Sequence, residues 1–128
     1  MRTIKFRGKR LDNGEWIYGS YVPHYDFFGT INDEMIDENG YLLFKADPAT
    51  VGQYTGFIDN NTREVYEGDV LTDKFESLGV IEWQNGCFVV NFGDVDVFQI
   101  SDCFDDSYQM WVIGNIHDNP ELLKEGEQ

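Results

Sequence analysis

The chain has 128 residues, room for one domain with a single core, and carries a formal net charge of −15. Hydrophobic residues make up 41% and aromatic residues 16%, which excludes a disordered chain and, with ten Phe and seven Tyr, favours strands over helices. The longest apolar runs, such as Cys87-Phe88-Val89-Val90, are too short to cross a bilayer, and the basic start has no apolar stretch behind it, so a cytoplasmic location and no membrane partner are expected.

The charge is unevenly spread. Residues 1–10 hold five of the nine Lys and Arg and no acid, so the other 118 residues carry 24 acids against four bases, a net of −20. A body that acidic repels phosphate backbones, and direct nucleic-acid binding is not expected. The basic ten read most simply as solvated strand residues that offset part of the self-repulsion.

In chain order, strands are expected over Ile4–Leu11 and Trp16–Val22, joined near Asn13-Gly14. Asn-Gly is the strongest short hairpin signal, because both central residues of a type I′ turn need positive φ. A two-residue turn here would set Asp12 opposite Glu15, two like charges, so a longer or bulged turn is expected instead. The second such dipeptide, Asn39-Gly40, places Ile36 against Leu43 and Met35 against Phe44. Residues Gly29–Gly40 read as a mobile excursion. Asp47-Pro48 looks like a helix cap followed by Pro at the first helical position. Strands then follow over Gln53–Ile58, Val65–Tyr66 and Asp69–Thr72.

The third dipeptide, Asn85-Gly86, gives the clearest hairpin. It sets Gln84 against Cys87, Trp83 against Phe88, Glu82 against Val89 and Ile81 against Val90, so Trp83, Phe88, Ile81 and Val90 share a face that reads as core. Val95–Ile100 alternates as a half-buried strand, Ser101–Tyr108 suggests one irregular turn of helix, and Met110–Ile116 is a last strand. Asn119-Pro120 again reads as a cap, opening a short helix, Pro120–Glu125, whose Leu122 and Leu123 tack down the end of the chain.

Chemistry-bearing patterns are scarce. His117, beside Asp118 in a turn, reads as a capping or surface residue, since sequence neighbours seldom point together. Cys87 and Cys103 read as two reduced thiols, with Cys87 in a strand. Asp94, Asp96, Asp102, Asp105 and Asp106 fall within thirteen residues, but a calcium-loop template centred on Gly40 puts Met35 and Ala46 at ligand positions and fails. No catalytic residue, metal or cofactor is expected, and the acids read as a solvated face. Tyr18, Tyr21, Tyr25, Phe27 and Phe28 crowd one segment, too many rings for a small core alone, and are the candidate contacts to a partner.

Two stretches resemble something specific. One is Asp47-Pro48-Ala49-Thr50-Val51-Gly52-Gln53-Tyr54-Thr55-Gly56, continuing through Glu64-Val65-Tyr66-Glu67-Gly68-Asp69-Val70; the other is Val112-Ile113-Gly114-Asn115-Ile116-His117-Asp118-Asn119-Pro120-Glu121-Leu122. With Ile4-Lys5-Phe6-Arg7-Gly8-Lys9, and in the same order over nearly the whole chain, they resemble the YopX family of phage and prophage proteins. The chain departs from that family at Asp59-Asn60-Asn61-Thr62, where the family's turn is Lys/Asn/Gly-rich, and at His117, where Tyr is frequent.

The resemblance implies a mostly β fold of coiled, bent antiparallel sheets with an SH3-like small barrel and little helix. It implies no activity. The expected layout is one domain: residues 1–46 as N-terminal hairpins and a variable excursion, 47–118 as a barrel-like core, and 119–128 as a C-terminal helix and tail. The expected function is that of a non-enzymatic phage accessory protein working by protein–protein contact, with a second copy of the chain as one candidate partner. The alternatives are an acidic decoy that imitates DNA and, behind it, a metal-assisted enzyme.

Overall fold

A computed structural model of the chain describes residues 4–25, 31–37, 40, 43–93, 96–104 and 109–126. The chain falls into two compact units, Met1–Tyr54 and Thr55–Gln128.

In the first unit, β1 (Phe6–Lys9) pairs with β2 (Trp16–Tyr25). Lys9 lies opposite Trp16, and Arg10 N–H donates to the Glu15 carbonyl at 2.9 Å, so the turn is the four residues Leu11–Gly14. The like-charge pairing of a two-residue turn is thereby avoided. Asp12 turns back on Arg10 instead, 2.6 Å from its guanidinium, and Gly14 supplies the left-handed residue at φ +74°.

Strand β2 runs to Tyr25, three residues beyond its expected end at Val22, because β3 (Ile31–Asp37) pairs with it from Gly19 opposite Asp37 to Tyr25 opposite Ile31. Residues 31–37 are therefore a strand, not part of a mobile excursion. Met35, fully buried opposite Tyr21 on one side and Phe44 on the other, anchors it. β4 (Leu43–Lys45) returns in the register expected of Asn39-Gly40, with Met35 opposite Phe44 and Ile36 opposite Leu43. Ile17, Met35 and Ala46 form this unit's core, with Phe6, Tyr21, Phe44 and Val51 packed against them.

Asp47 caps a single 3-10 turn, Pro48–Thr50, by accepting from Ala49 N–H at 3.1 Å. β5 (Gly52–Ile58) then pairs with β1, completing the order β4-β3-β2-β1-β5; past Tyr54 it continues into the second unit, where β6 (Glu64–Tyr66) is its neighbour.

The second unit is built on β7 (Asp69–Thr72), β8 (Leu78–Gln84), β9 (Cys87–Asn91), β10 (Val97–Gln99) and β11 (Trp111–Asn115), in the order β10-β9-β8-β7-β11. All the pairings are antiparallel. The hairpin at Asn85-Gly86 has the expected register, and both turn residues take positive φ, +53° and +84°, as a type I′ turn requires. Val65, Leu71, Ile81, Phe88, Val90, Ile100, Cys103, Met110 and Val112 make the core. Strand β11 carries a bulge between Val112 and Gly114. Gly114 is needed there: a Cβ would lie 2.5 Å from the Asn119 side-chain oxygen.

The segment after β10 forms one 3-10 turn, Ile100–Cys103, and the chain closes with the helix α1 (Glu121–Gly126), with Leu122 and Leu123 half-buried. The Asn119 carboxamide accepts from Asn115 N–H at 3.2 Å, so it braces the preceding turn as well as leading into the helix. The fold is mostly β, two antiparallel sheets with one short helix among the described residues, and the five-stranded sheet is compatible with a small barrel.

Candidate contact surface

Three aspartates are buried: Asp59, Asp69 and Asp73. Each carboxylate accepts backbone N–H bonds that shape a turn. Asp59 Oδ1 takes those of Asn61 and Arg63, both at 2.9 Å, while Oδ2 takes that of Val112 on β11, also at 2.9 Å. Asp69 accepts from Tyr66 across the Glu67-Gly68 turn at 2.7 Å. Asp73 accepts from Phe75 and Ser77 at 2.9 and 3.0 Å. The two turns with Asp59 and Asp73 hold non-glycine residues in the left-handed region, Thr62 at φ +65° and Glu76 at +64°.

Of the clustered acids, Asp96 and Asp102 are exposed, while Asp94, Asp105 and Asp106 lie outside the described residues. Among the described residues, no group of three or more His, Cys, Asp or Glu is placed to hold a metal ion. Cys103 is buried in the core and Cys87 half-buried on β9, both as free thiols. His117 sits half-buried in a turn built by Asn115, whose side-chain oxygen accepts from the N–H groups of His117 and Asp118 at 3.0 and 2.8 Å.

The basic start is laid over rings. Lys5 Nζ stands 5.6 Å from the Tyr54 centroid, and Arg7 and Lys9 stand 4.7 and 5.4 Å from that of Trp16. Arg10 lies 4.1 Å from the Phe44 centroid. Its hydrogen bond to Asp12 raises the Arg10 pKa and lowers that of Asp12.

The candidate contact residues separate. Tyr18 and Tyr21 lie on opposite faces of β2. Tyr18 is 38% exposed, opposite Arg7 of β1. Tyr21 belongs to the core, its ring 5.6 Å from that of Phe6. Tyr25 ends β2, and Phe27 and Phe28 lie outside the described residues.

A set of exposed rings that sequence reasoning missed stands in the second unit. Trp83, expected in the core, is 50% exposed, and Phe98 is 45% exposed. The register puts Ile81, Trp83, Phe88, Val90 and Phe98 on one face of β8, β9 and β10. Ile81, Phe88 and Val90 fill the core, while Trp83 and Phe98 stand at its margin. Both are held edge-on by a more buried ring: Trp83 by Phe88 at 4.7 Å and Phe98 by Phe92 at 5.7 Å. Phe75 is 69% exposed in the β7–β8 turn that Asp73 organises. The position of Trp83 two residues before the Asn85-Gly86 turn was the available signal, since a hairpin end reaches the edge of its core.

The family model described as YopX protein matches residues 5–124. Among solved structures, the chain is similar to protein EF1440 from Enterococcus faecalis, with 27% identity, a TM-score of 0.59, and coverage of 96% of this chain and 99% of that one. It is also similar in fold to protein yopX from Bacillus subtilis, with 17% identity, a TM-score of 0.54, and coverage of 96% and 97%. No curated protein matches the chain.

Proposed function

The chain belongs to the YopX family, and from that premise we propose that it is a non-enzymatic protein–protein contact module, an accessory protein of phage or prophage acting in the bacterial cytoplasm. The observation that carries this reading is the pair of half-exposed rings, Trp83 and Phe98, each held edge-on by a more buried aromatic neighbour. Large rings held rigidly at a surface lose little side-chain freedom on binding, which is why Trp and Tyr dominate the centres of interfaces. The buried carboxylates, by contrast, are engaged in turns and so serve the fold. Pull-down with the tagged chain from nuclease-treated bacterial lysate tests the proposal. A specific protein retained at high salt supports it; recovery of no protein, or of nucleic acid from a parallel lysate not treated with nuclease, would overturn it.

A second reading, an acidic decoy occupying the site of a nucleic-acid-binding protein, is favoured by the net of −20 over residues 11–128. It expects a captured DNA-binding protein that is lost at high salt and displaced by duplex DNA. Retention unaffected by salt excludes it.

A further inference from the structure

The geometry points to a basic, extended peptide segment as the occupant of the β10 edge, its cations lying against Phe98 and Asp96; this rests on the contact-module reading and specifies the partner's chemistry. Among the described residues strand β10 is an end of its sheet, and all three of its residues are exposed. Phe92 N–H donates to the Asp96 carbonyl at 2.9 Å, so Asp96 and Phe92 are a hydrogen-bonded pair in the register that continues through Phe98 opposite Val90. By the alternation of an antiparallel ladder, the N–H and carbonyl of Val97 and the N–H of Gln99 then point away from β9, in the direction an added strand would occupy, while the Gln99 carbonyl caps the following 3-10 turn.

Charge selects the kind of strand. No Lys or Arg occurs between Lys74 and Lys124, while that span holds nine acids. Asp96 shares a face with Phe98 two residues on, so an exposed carboxylate stands beside an exposed ring, and Asp102 is exposed just beyond β10. A guanidinium or ammonium group is attracted both by a ring face and by a carboxylate, and a segment that alternates cationic and small residues would present its cations to one face of the sheet. An acidic or apolar strand would gain the backbone bonds and none of this. A second copy of the chain, at net −15, is disfavoured by the same charge.

The test is titration of the isotope-labelled full chain with a blocked (Arg-Thr)₄ peptide, followed by two-dimensional NMR, with (Glu-Thr)₄ as the control. The expected result is shifts concentrated at 96–99 with the basic peptide and none with the acidic one. Affinity should fall about tenfold in a Phe98→Ser variant and less in Asp96→Asn. Val97→Pro, which removes an N–H directed away from β9, should weaken binding as well. Phe98→Leu, which keeps an apolar side chain and removes the ring, serves if Phe98→Ser loses its folded spectrum. Equal affinity of the ring variant, or shifts scattered over every acidic surface, overturns the proposal in favour of bulk charge attraction. The same proteins are used in the lysate pull-down. A partner captured equally by the wild-type and ring-variant chains leaves the module reading standing and overturns this surface. Ring-dependent peptide binding with no protein captured supports the surface chemistry and counts against the module reading.

Discussion

Both carboxylate oxygens of Asp59 are engaged, two backbone N–H groups of its own turn on one side and Val112 of β11 on the other. Removing the carboxylate strands three donors, that of Val112 buried and those of Asn61 and Arg63 part-buried, and a buried unsatisfied group costs about 1–3 kcal/mol. Asp59→Ala is therefore expected to lower stability by roughly 3 kcal/mol or more in urea denaturation, well beyond an exposed control such as Asp102→Ala. Within the same turn, Thr62 sits at φ +65°, a region that disfavours β-branched side chains by about 1–2 kcal/mol. Thr62→Gly should raise stability by about 0.5–1 kcal/mol, part of the relieved strain being offset by the freer unfolded chain. The turn's departure from a glycine-rich pattern was legible in the sequence, but its remedy was not. Acids read from sequence look solvated, and nothing local distinguishes Asp59 or Asp73 from exposed Asp102.

At the scale of strands and turns, legibility followed the locality of the cause. The registers about Asn39-Gly40 and Asn85-Gly86 were readable because a two-residue turn fixes every pairing behind it. The first hairpin was readable in part, since like charges argued against a two-residue turn without specifying the four-residue one. The start of β3 and its pairing with β2 were missed because their support is distant: Met35 is held by Tyr21 of β2 as well as by Phe44, its expected hairpin partner. Gly19 marks the same junction. It lies opposite Asp37, and a Cβ there would run into the backbone carbonyl of Ile36, which cannot yield as a side-chain tip would. Gly19→Ala should therefore destabilise the chain by about 2–3 kcal/mol and selectively speed amide exchange along β2 and β3. The margin of the second core was hidden for a related reason. Alternation assigns Trp83 to a face, but only the assembled sheet shows that the face outruns its core at the hairpin end.

For the whole molecule the governing quantity is charge. At −15, folding draws like charges together, and with acids outnumbering bases 24 to nine the long-range term opposes the folded state. Added salt shortens the reach of that repulsion, to about 10 Å at 0.1 M, while burial in the two cores is little affected. The local attractions work the other way: the exposed Arg10–Asp12 pair and the cations over Tyr54 and Trp16 are weakened by the same screening. They involve few groups, whereas the repulsion sums over the surface, so repulsion should dominate. The thermal midpoint is expected to rise by about 3–5 °C between 20 and 500 mM KCl. A midpoint that falls with salt would mean that the ion pairs and cation–ring contacts outweigh self-repulsion. The sign also bears on pH. The Asp12 pKa lies below its ordinary value through the Arg10 hydrogen bond, so that pair's contribution is complete above the ordinary aspartate range and is lost as pH falls through the lowered value. Acid also neutralises the surface carboxylates and relieves repulsion, so the two effects oppose each other. Repeating the pH scan on Asp12→Asn, which lacks the first effect, should leave the relief of repulsion as the larger part of the response, and adding 500 mM KCl should flatten what remains.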